Sequence, residues 1–469
     1  MRPSRASKPI APILFDGESL SGLFPQDINE LSMANIGQAV TVAMKAGEVI
    51  LGHDGSEQGL ELLRHLGVGL TLQGTNIVIH GLCTADELRF KLLQGRVKHG
   101  IYLCEDLRRP GTYEIHCLNG NGETNRDAAD LMPIAKLAQR AAFLPTIRAG
   151  RKNERLDDST GSYCDALVAA SLVGASGSVG AIVSNAPNAA IDHLLSHLEK
   201  AAKRADVAAD IVTVPRRSFR RQPNPLDRRE AIEAVRDAVV AQGAAMGLVW
   251  HSATHAPDII DETGALVSHR DVMLLIAQSL LAERHGRTVV HDRRCLWAAA
   301  ALPRHPLSQT VAAAPDQPAF SDVMRQGRAT YGFMLPDIHL FSDLHFAESG
   351  LAAALLVARL AAAGTPLSQR VAATCGDTGC AMATAPVAAD VGTVLSEFGR
   401  IIARDGIQTL HKSMLLVETT AWNMAARADT ARNRIEISIE TRAGRADDVL
   451  QMMLESLSDI DRRCRIADQ

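Results

Sequence analysis

Three short clusters in the 469-residue chain carry side chains that could do chemistry. The first is Glu105-Asp106-Leu107-Arg108-Arg109. Asp106 can pair with Arg108 or Arg109 as an ordinary loop carboxylate. A carboxylate can also accept a phosphoryl group, although the resulting acyl phosphate hydrolyses readily. The second cluster is His251-Ser252-Ala253-Thr254-His255. In a helical turn, His251 and His255 could share a Zn²⁺ or Ni²⁺ ion with Asp258; the alternative is a pair of ordinary loop histidines. The third is Arg427-Ala428-Asp429-Thr430-Ala431-Arg432. Arg427 and Arg432 offer forked donors and Thr430 a hydroxyl, a set suited to an oxyanion, while Asp429 opposes one.

The elements that must position these clusters follow from hydrophobic periodicity. Val49–Leu51, Ile77–Ile79 and Ile101–Cys104 are short, continuous apolar runs, as buried parallel strands are. Helical patterns separate them, one with Leu60, Leu63, Leu66 and Leu70 on a single face. The rhythm recurs: strands at Gly180–Val183, Ile211–Val214 and Gly247–Trp250, with helices at Asn188–Ala202 and Arg228–Gln242. It recurs again with helices at Val272–Arg284, Leu296–Leu302 and Leu351–Ala363 around a strand at Val289-Val290. The C-terminal part differs. Ile435, Ile437 and Ile439 alternate with Glu436, Ser438 and Glu440, which predicts a half-exposed antiparallel strand over Arg434–Thr441, then a helix over Ala446–Ile460. Gly150–Ser159 and Pro303–Pro318 read as irregular. The pattern predicts an α/β protein: three similar α/β domains with mixed sheets plus a C-terminal α+β domain.

Composition narrows the function classes. Aromatics are only 4% of residues, so the cores are aliphatic. A net charge of −4 with no like-charge block argues against nucleic acid. The basic stretch Arg216–Arg221 reads as a solvated loop. Eight cysteines without a C-x-x-C pair read as reduced thiols. Met1–Pro12 lacks the apolar run of a signal peptide, and Leu351–Ala363 is too short and too charged at Arg359 to span a bilayer. The expectation is therefore a cytoplasmic protein with no membrane partner.

Several motifs, in order along the chain, resemble the phosphomannomutase/phosphoglucomutase (α-D-phosphohexomutase) family. They are Phe15 and Gly22, Ile36-Gly37-Gln38-Ala39, Gly52-His53-Asp54-Gly55, Gln222-Pro223-Asn224-Pro225, Asp261-Glu262-Thr263-Gly264, His269-Arg270-Asp271, Val290–Cys295 and Asp405-Gly406. The resemblance implies four domains around a central cleft: 1–154 with a phosphoserine-type loop, 155–256 with a metal-type loop, 257–370 with a sugar-type loop, and 371–469 binding phosphate. It implies a hexose-phosphate ligand, Mg²⁺, and interconversion of mannose 6-phosphate and mannose 1-phosphate for nucleotide-sugar and exopolysaccharide synthesis.

Mapped residue by residue, the resemblance sets Asp106 at the phosphoserine position, counting from Gly100, and Glu114 or a neighbour where the family has its acid/base lysine. Arg108 and Arg109 adjoin it as phosphate-binding candidates. His251 and His255 fall at the metal-loop positions, where the family has three aspartates. Phe333 and Leu335 fall where the family reads sugar hydroxyls with Glu and Ser; Asp337, His339 and Asp343 are nearby substitutes, and a buried Phe333–Met334–Leu335 cluster is the simpler account. Arg427, Thr430 and Arg432 fall in the phosphate loop. Two functions follow: an active mutase, or a catalytically inactive paralogue that binds sugar phosphate or regulates a partner enzyme. A different enzyme using Asp106 or the histidine pair is a third reading.

Overall fold

In this computed structural model the described residues are 14–15 and 19–467, apart from 124–127, 145, 155–158, 173–177, 215–227, 253, 284–285, 304–305, 315–316, 376–377, 403–406, 412–413, 431 and 443–444. The Arg216–Arg221 stretch, Gln222–Pro225 and Asp405-Gly406 lie outside them. The chain forms two compact units: residues 1–272 with 336–370, and 273–335 with 371–469.

Unit 1 opens with a seven-stranded mixed sheet of β1 (Leu14–Phe15), β2 (Leu20–Leu23), β3 (Glu48–His53), β4 (Asn76–Leu82), β5 (His99–Glu105), β6 (Thr112–Asn119) and β7 (Lys152–Glu154), in the order β1-β2-β6-β5-β3-β4-β7. The continuous apolar runs behave as expected: Val49, Ile50, Leu51, Ile77, Ile101 and Leu103 are buried, because helices cover both faces. Helices Glu30–Met44 and Gly59–Leu72 cross at Gly37 and Gly69, where a Cβ on either residue would collide with the other helix's backbone. A capping box starts helix Ala85–Gln94: Thr84 Oγ1 accepts from the Glu87 amide, and the Thr84 amide donates to Glu87 at 2.6 Å.

A second sheet in unit 1 comprises β8 (Ser178–Asn185), β9 (Ala208–Val214), β10 (Met246–Val249), β11 (Asp258–Ile260) and β12 (Leu266–Val267), ordered β12-β11-β10-β8-β9. In unit 2, β13 (Thr288–Asp292) pairs in parallel with β14 (Gln309–Ala313) and β15 (Tyr331–Met334). The antiparallel pair β16 (Ile338–Phe341) and β17 (Ala347–Glu348) belongs to unit 1. Unit 2 ends in an antiparallel sheet of β18 (Gly379–Pro386), β19 (Ile407–His411), β20 (Met414–Glu418), β21 (Trp422–Asp429) and β22 (Arg434–Thr441), ordered β18-β22-β21-β20-β19. Helices Val391–Ile402 and Ala446–Ala467 cover one face. Among the described residues no single helix is long and apolar enough to cross a membrane.

Four expectations need correction. Gly150–Ser159 contains β7, and Pro303–Pro318 contains β14. Both are edge strands recruited by a neighbouring parallel strand, a pairing that local composition does not encode. The last helix runs on to Ala467. The largest correction is β22, which sits inside its sheet and is buried on both faces. Its polar face is covered by the segment after β13. Glu440 accepts from the amides of Trp297 and Ala298 and from Asn423. Trp297 Nε1 donates to Glu418, and Arg442 stacks 4.6 Å from the Trp297 ring centre.

Candidate functional site

The C-terminal ends of two parallel strand pairs, β3 with β5 in the first sheet and β8 with β9 in the second, meet at a cavity of about 540 Å³ in unit 1. β3 delivers Asp54, Gly55 and Ser56, and β5 delivers Glu105 and Asp106. β8 leads to Ala186–Ala189, and β9 ends in Thr213 and Val214. Loops at the carboxyl ends of parallel strands are where open α/β sheets present ligand sites. Among the described residues the lining contains five carboxylates, Asp54, Glu57, Glu105, Asp106 and Asp192, and no lysine or arginine. Such a surface disfavours an anion and favours a cation or a neutral hydroxyl donor.

Asp54 joins two of these loops. One oxygen accepts from the Ser56 amide and hydroxyl, the other from the Glu105 amide. Burial raises its pKa, partly offset by those neutral donors. Beside it, His53 Nδ1 accepts from the Gly55 amide at 3.1 Å, which requires the neutral ring, and burial lowers its pKa. Gly-His-Asp-Gly at a strand end was the available sequence signal for this junction.

Asp106 is buried at the turn between β5 and β6. Oδ1 accepts from the Arg108 amide at 2.9 Å and Nε at 3.3 Å, and Oδ2 from Arg109 Nε at 2.6 Å. Burial pushes its pKa up, but the Arg109 and Arg108 contacts outweigh that and hold it below the ordinary carboxylate value. The structure thus brings Asp106, Arg108 and Arg109 together, with both carboxylate oxygens engaged.

His251 and His255 go to different carboxylates. His251 Nδ1 lies 3.3 Å from Asp258 Oδ2 without hydrogen-bond alignment, and His255 Nδ1 lies 3.0 Å from Asp337 Oδ2. Asp258 is buried under a two-pronged contact from Arg228, at 2.8 and 2.9 Å, and His269 Nε2 at 3.1 Å. Burial alone would raise its pKa; contacts from His251, His269 and Arg228 overcome this and hold it far below the usual range. Nothing in the sequence around Asp258 signalled Arg228, which reaches it from a helix 30 residues upstream. Mg²⁺ requires near-octahedral oxygen ligation. Imidazoles and one carboxylate already neutralised by a guanidinium do not fit it.

At the sugar-type positions, Phe333, Met334 and Leu335 are buried in unit 2, with Phe333 against the Tyr331 and His291 rings. Asp337 and His339 lie in unit 1. His339 is fully enclosed, and burial pushes its pKa down to about 3. Asp343 is exposed beside Ser342.

Arg427, Thr430 and Arg432 belong to one hairpin, β21–β22. Arg427 stands across from Glu436, 4.0 Å away, and its guanidinium makes no hydrogen bond among the described residues. Thr430 is exposed at the turn. Arg432 contacts Asp429 at 3.5 Å and keeps a buried, unpartnered Nε.

Comparison with known proteins agrees with this architecture. Residues 12–136 match the family model described as phosphoglucomutase/phosphomannomutase, alpha/beta/alpha domain I. The chain is 23% identical over 443 residues to an Escherichia coli phosphomannomutase, covering 92% of this chain and 96% of that one. It is 24% identical over 467 residues to a Xanthomonas campestris protein named phosphohexose mutases, covering 95% and 98%. A solved phosphoglucomutase/phosphomannomutase family protein from Burkholderia thailandensis has the same fold. The TM-score is 0.72 at 15% identity, with 94% of this chain and 96% of that one covered.

Proposed function

Because the chain belongs to the α-D-phosphohexomutase family, we propose that it binds a hexose phosphate without performing the magnesium-dependent phosphoryl transfer general to that family. The observation that carries this reading is Asp258. It is the carboxylate held at the metal-type loop, and Arg228 already satisfies its charge while two histidines flank it. In phosphoryl transfer, metal and fixed donors neutralise the transferring group, and that electrostatic contribution carries most of the rate. Asp106 supports the same reading: both oxygens are held by arginines, which tie the carboxylate to its own turn.

The phosphate-binding role falls to the β21–β22 hairpin rather than to the acidic cavity. Arg427 has donors to spare, and Arg432 and Thr430 stand on the same turn. The phosphomannomutase relatives make mannose phosphates the first ligands to try, and hexose-phosphate metabolism the proposed setting.

Two measurements test this. In a coupled assay with mannose 1-phosphate, Mg²⁺ and a bisphosphorylated hexose activator, turnover should not exceed background. In thermal denaturation, a hexose phosphate at about 100 times its Kd should stabilise the fold by about 2.7 kcal/mol, and Arg427→Ala should abolish the shift. EDTA-sensitive turnover, or no stabilisation by any hexose phosphate, would overturn the reading.

A further inference from the structure

We propose that Cys104 Sγ, a Glu114 oxygen and a His116 ring nitrogen form a binding site for a divalent transition metal of the zinc class. The inference is independent of the hexose-phosphate reading. It rests on the way β5 and β6 pair.

Cys104 and Glu114 are direct cross-strand partners in the β5–β6 ladder, and His116 follows Glu114 by two residues. Alternation along a strand sends residues two apart to the same face, so the pleat directs all three side chains to one side. That side faces helix Ala85–Gln94, where Cys104 and Tyr102, two residues before it, pack with Leu88 and Leu92. One donor atom from each of the three lies within 4.8 Å of the others, and no other such trio exists among the described residues. His116 Nε2 is already 3.2 Å from Glu114 Oε2. Tetrahedral zinc, with bonds of about 2.0–2.3 Å, needs ligand atoms about 3.2–3.8 Å apart. The 4.8 Å bound leaves the trio within about 1 Å of that spacing.

The donor types agree with the geometry. Thiolate, imidazole and carboxylate are the ligands zinc takes, and thiolate selects against Mg²⁺ and Ca²⁺. The local field agrees as well. Cys104 is buried, with Glu114, Asp54, Asp106 and Glu105 as its charged neighbours, and burial followed by these carboxylates pushes its thiol well above the ordinary value. A divalent cation reverses both influences and displaces the thiol proton. Arg109 is the competing cation. It lies 3.7 Å from Glu114 Oε1 but is half-exposed and donates to Asp106, so Oε2 and the thiol remain available to a metal. Among the described residues the Cys104 thiol makes no hydrogen bond, and a fourth coordination position is left for water.

The test uses the full, tag-free, reduced chain after chelator treatment. Cobalt(II) is added anaerobically and then displaced with zinc. The expected result is one equivalent of metal, a near-ultraviolet thiolate-to-cobalt charge-transfer band, and displacement of that band by zinc. Cys104→Ala should remove the band, and His116→Gln should weaken binding at least tenfold, while His251→Ala should change neither. Glu114→Gln is isosteric and guards against misfolding of the cysteine variant; it too should weaken binding at least tenfold. Circular dichroism checks that each variant is folded. No uptake by the folded wild-type chain, or one equivalent that survives Cys104→Ala and Glu114→Gln, overturns the assignment. The trio would then be a His116–Glu114 hydrogen bond beside a bystander thiol.

Discussion

Unit 1 and unit 2 each contain an Asp-x-Arg turn, and the two share a local hydrogen-bond pattern. In Asp106-Leu107-Arg108, Oδ1 accepts from the amide and Nε of the residue two ahead, at 2.9 and 3.3 Å. In Asp292-Arg293-Arg294, Oδ1 does the same at 2.8 and 3.1 Å. This is the side-chain-to-backbone turn that aspartate favours. The surroundings then separate the two. The Arg108 side chain is 64% exposed and Asp106 lines a cavity. The Arg294 side chain is 4% exposed. In unit 2, Asp292 Oδ2 also accepts from Arg294 and from the Leu335 amide, and Arg294 donates to the Leu335 carbonyl, so the pair clamps the end of β15. One pattern makes an adjustable rim in unit 1 and a sealed joint in unit 2.

Substitution can break this contrast. The largest effect is expected for Asp292→Ala, which removes the acceptor of a buried guanidinium and of the Arg294 and Leu335 amides and should cost unit 2 about 3–5 kcal/mol. Urea unfolding followed by tryptophan fluorescence in a Trp250→Phe background checks it, because the remaining tryptophans, Trp297 and Trp422, both lie in unit 2. A loss no larger than at Asp106 would erase the distinction.

Asp106→Ala should cost less, about 1–3 kcal/mol, because Arg108 and Arg109 can turn to water. Its pH signature sharpens the point. The folded pKa lies below the ordinary 3.8, so the stabilisation is complete above that value and is lost as pH falls through the folded pKa. Denaturation between about pH 5 and 2 should therefore be shallower in Asp106→Asn than in wild type. The smallest effect is expected for Arg108→Ala: a half-solvated ion pair contributes about 0–1 kcal/mol, readable as a small shift of the urea midpoint.

Part of the candidate site was legible in the residues. The Asp106, Arg108 and Arg109 grouping follows from adjacency, and the structure assembles it. Apolar Phe333 and Leu335 at sugar-type positions suggested a buried cluster, and they are buried. Partners far along the chain were not legible. The residues left Asp258 either as a third metal ligand beside two histidines or as a neighbour of ordinary loop histidines; its main partner is Arg228, and His255 turns to Asp337, 82 residues later. Asp54 holding the Glu105 amide across 51 residues is the same kind of contact. Periodicity reports which face of an element is apolar; it carries no information about which charged group another loop brings to it.

The sequence by itself determined the α/β rhythm and the element types outside the edge strands β7 and β14, since these depend on side-chain alternation and hydrogen bonds a few residues apart. Tertiary structure decided what became of the polar faces. The alternation in β22 is what a half-solvated strand would show. Glu440 is nevertheless buried, because Trp297 and Ala298 bring their amides to it from 143 and 142 residues away. A buried carboxylate is tolerated only where donors replace water, and whether they arrive is settled by how distant segments pack.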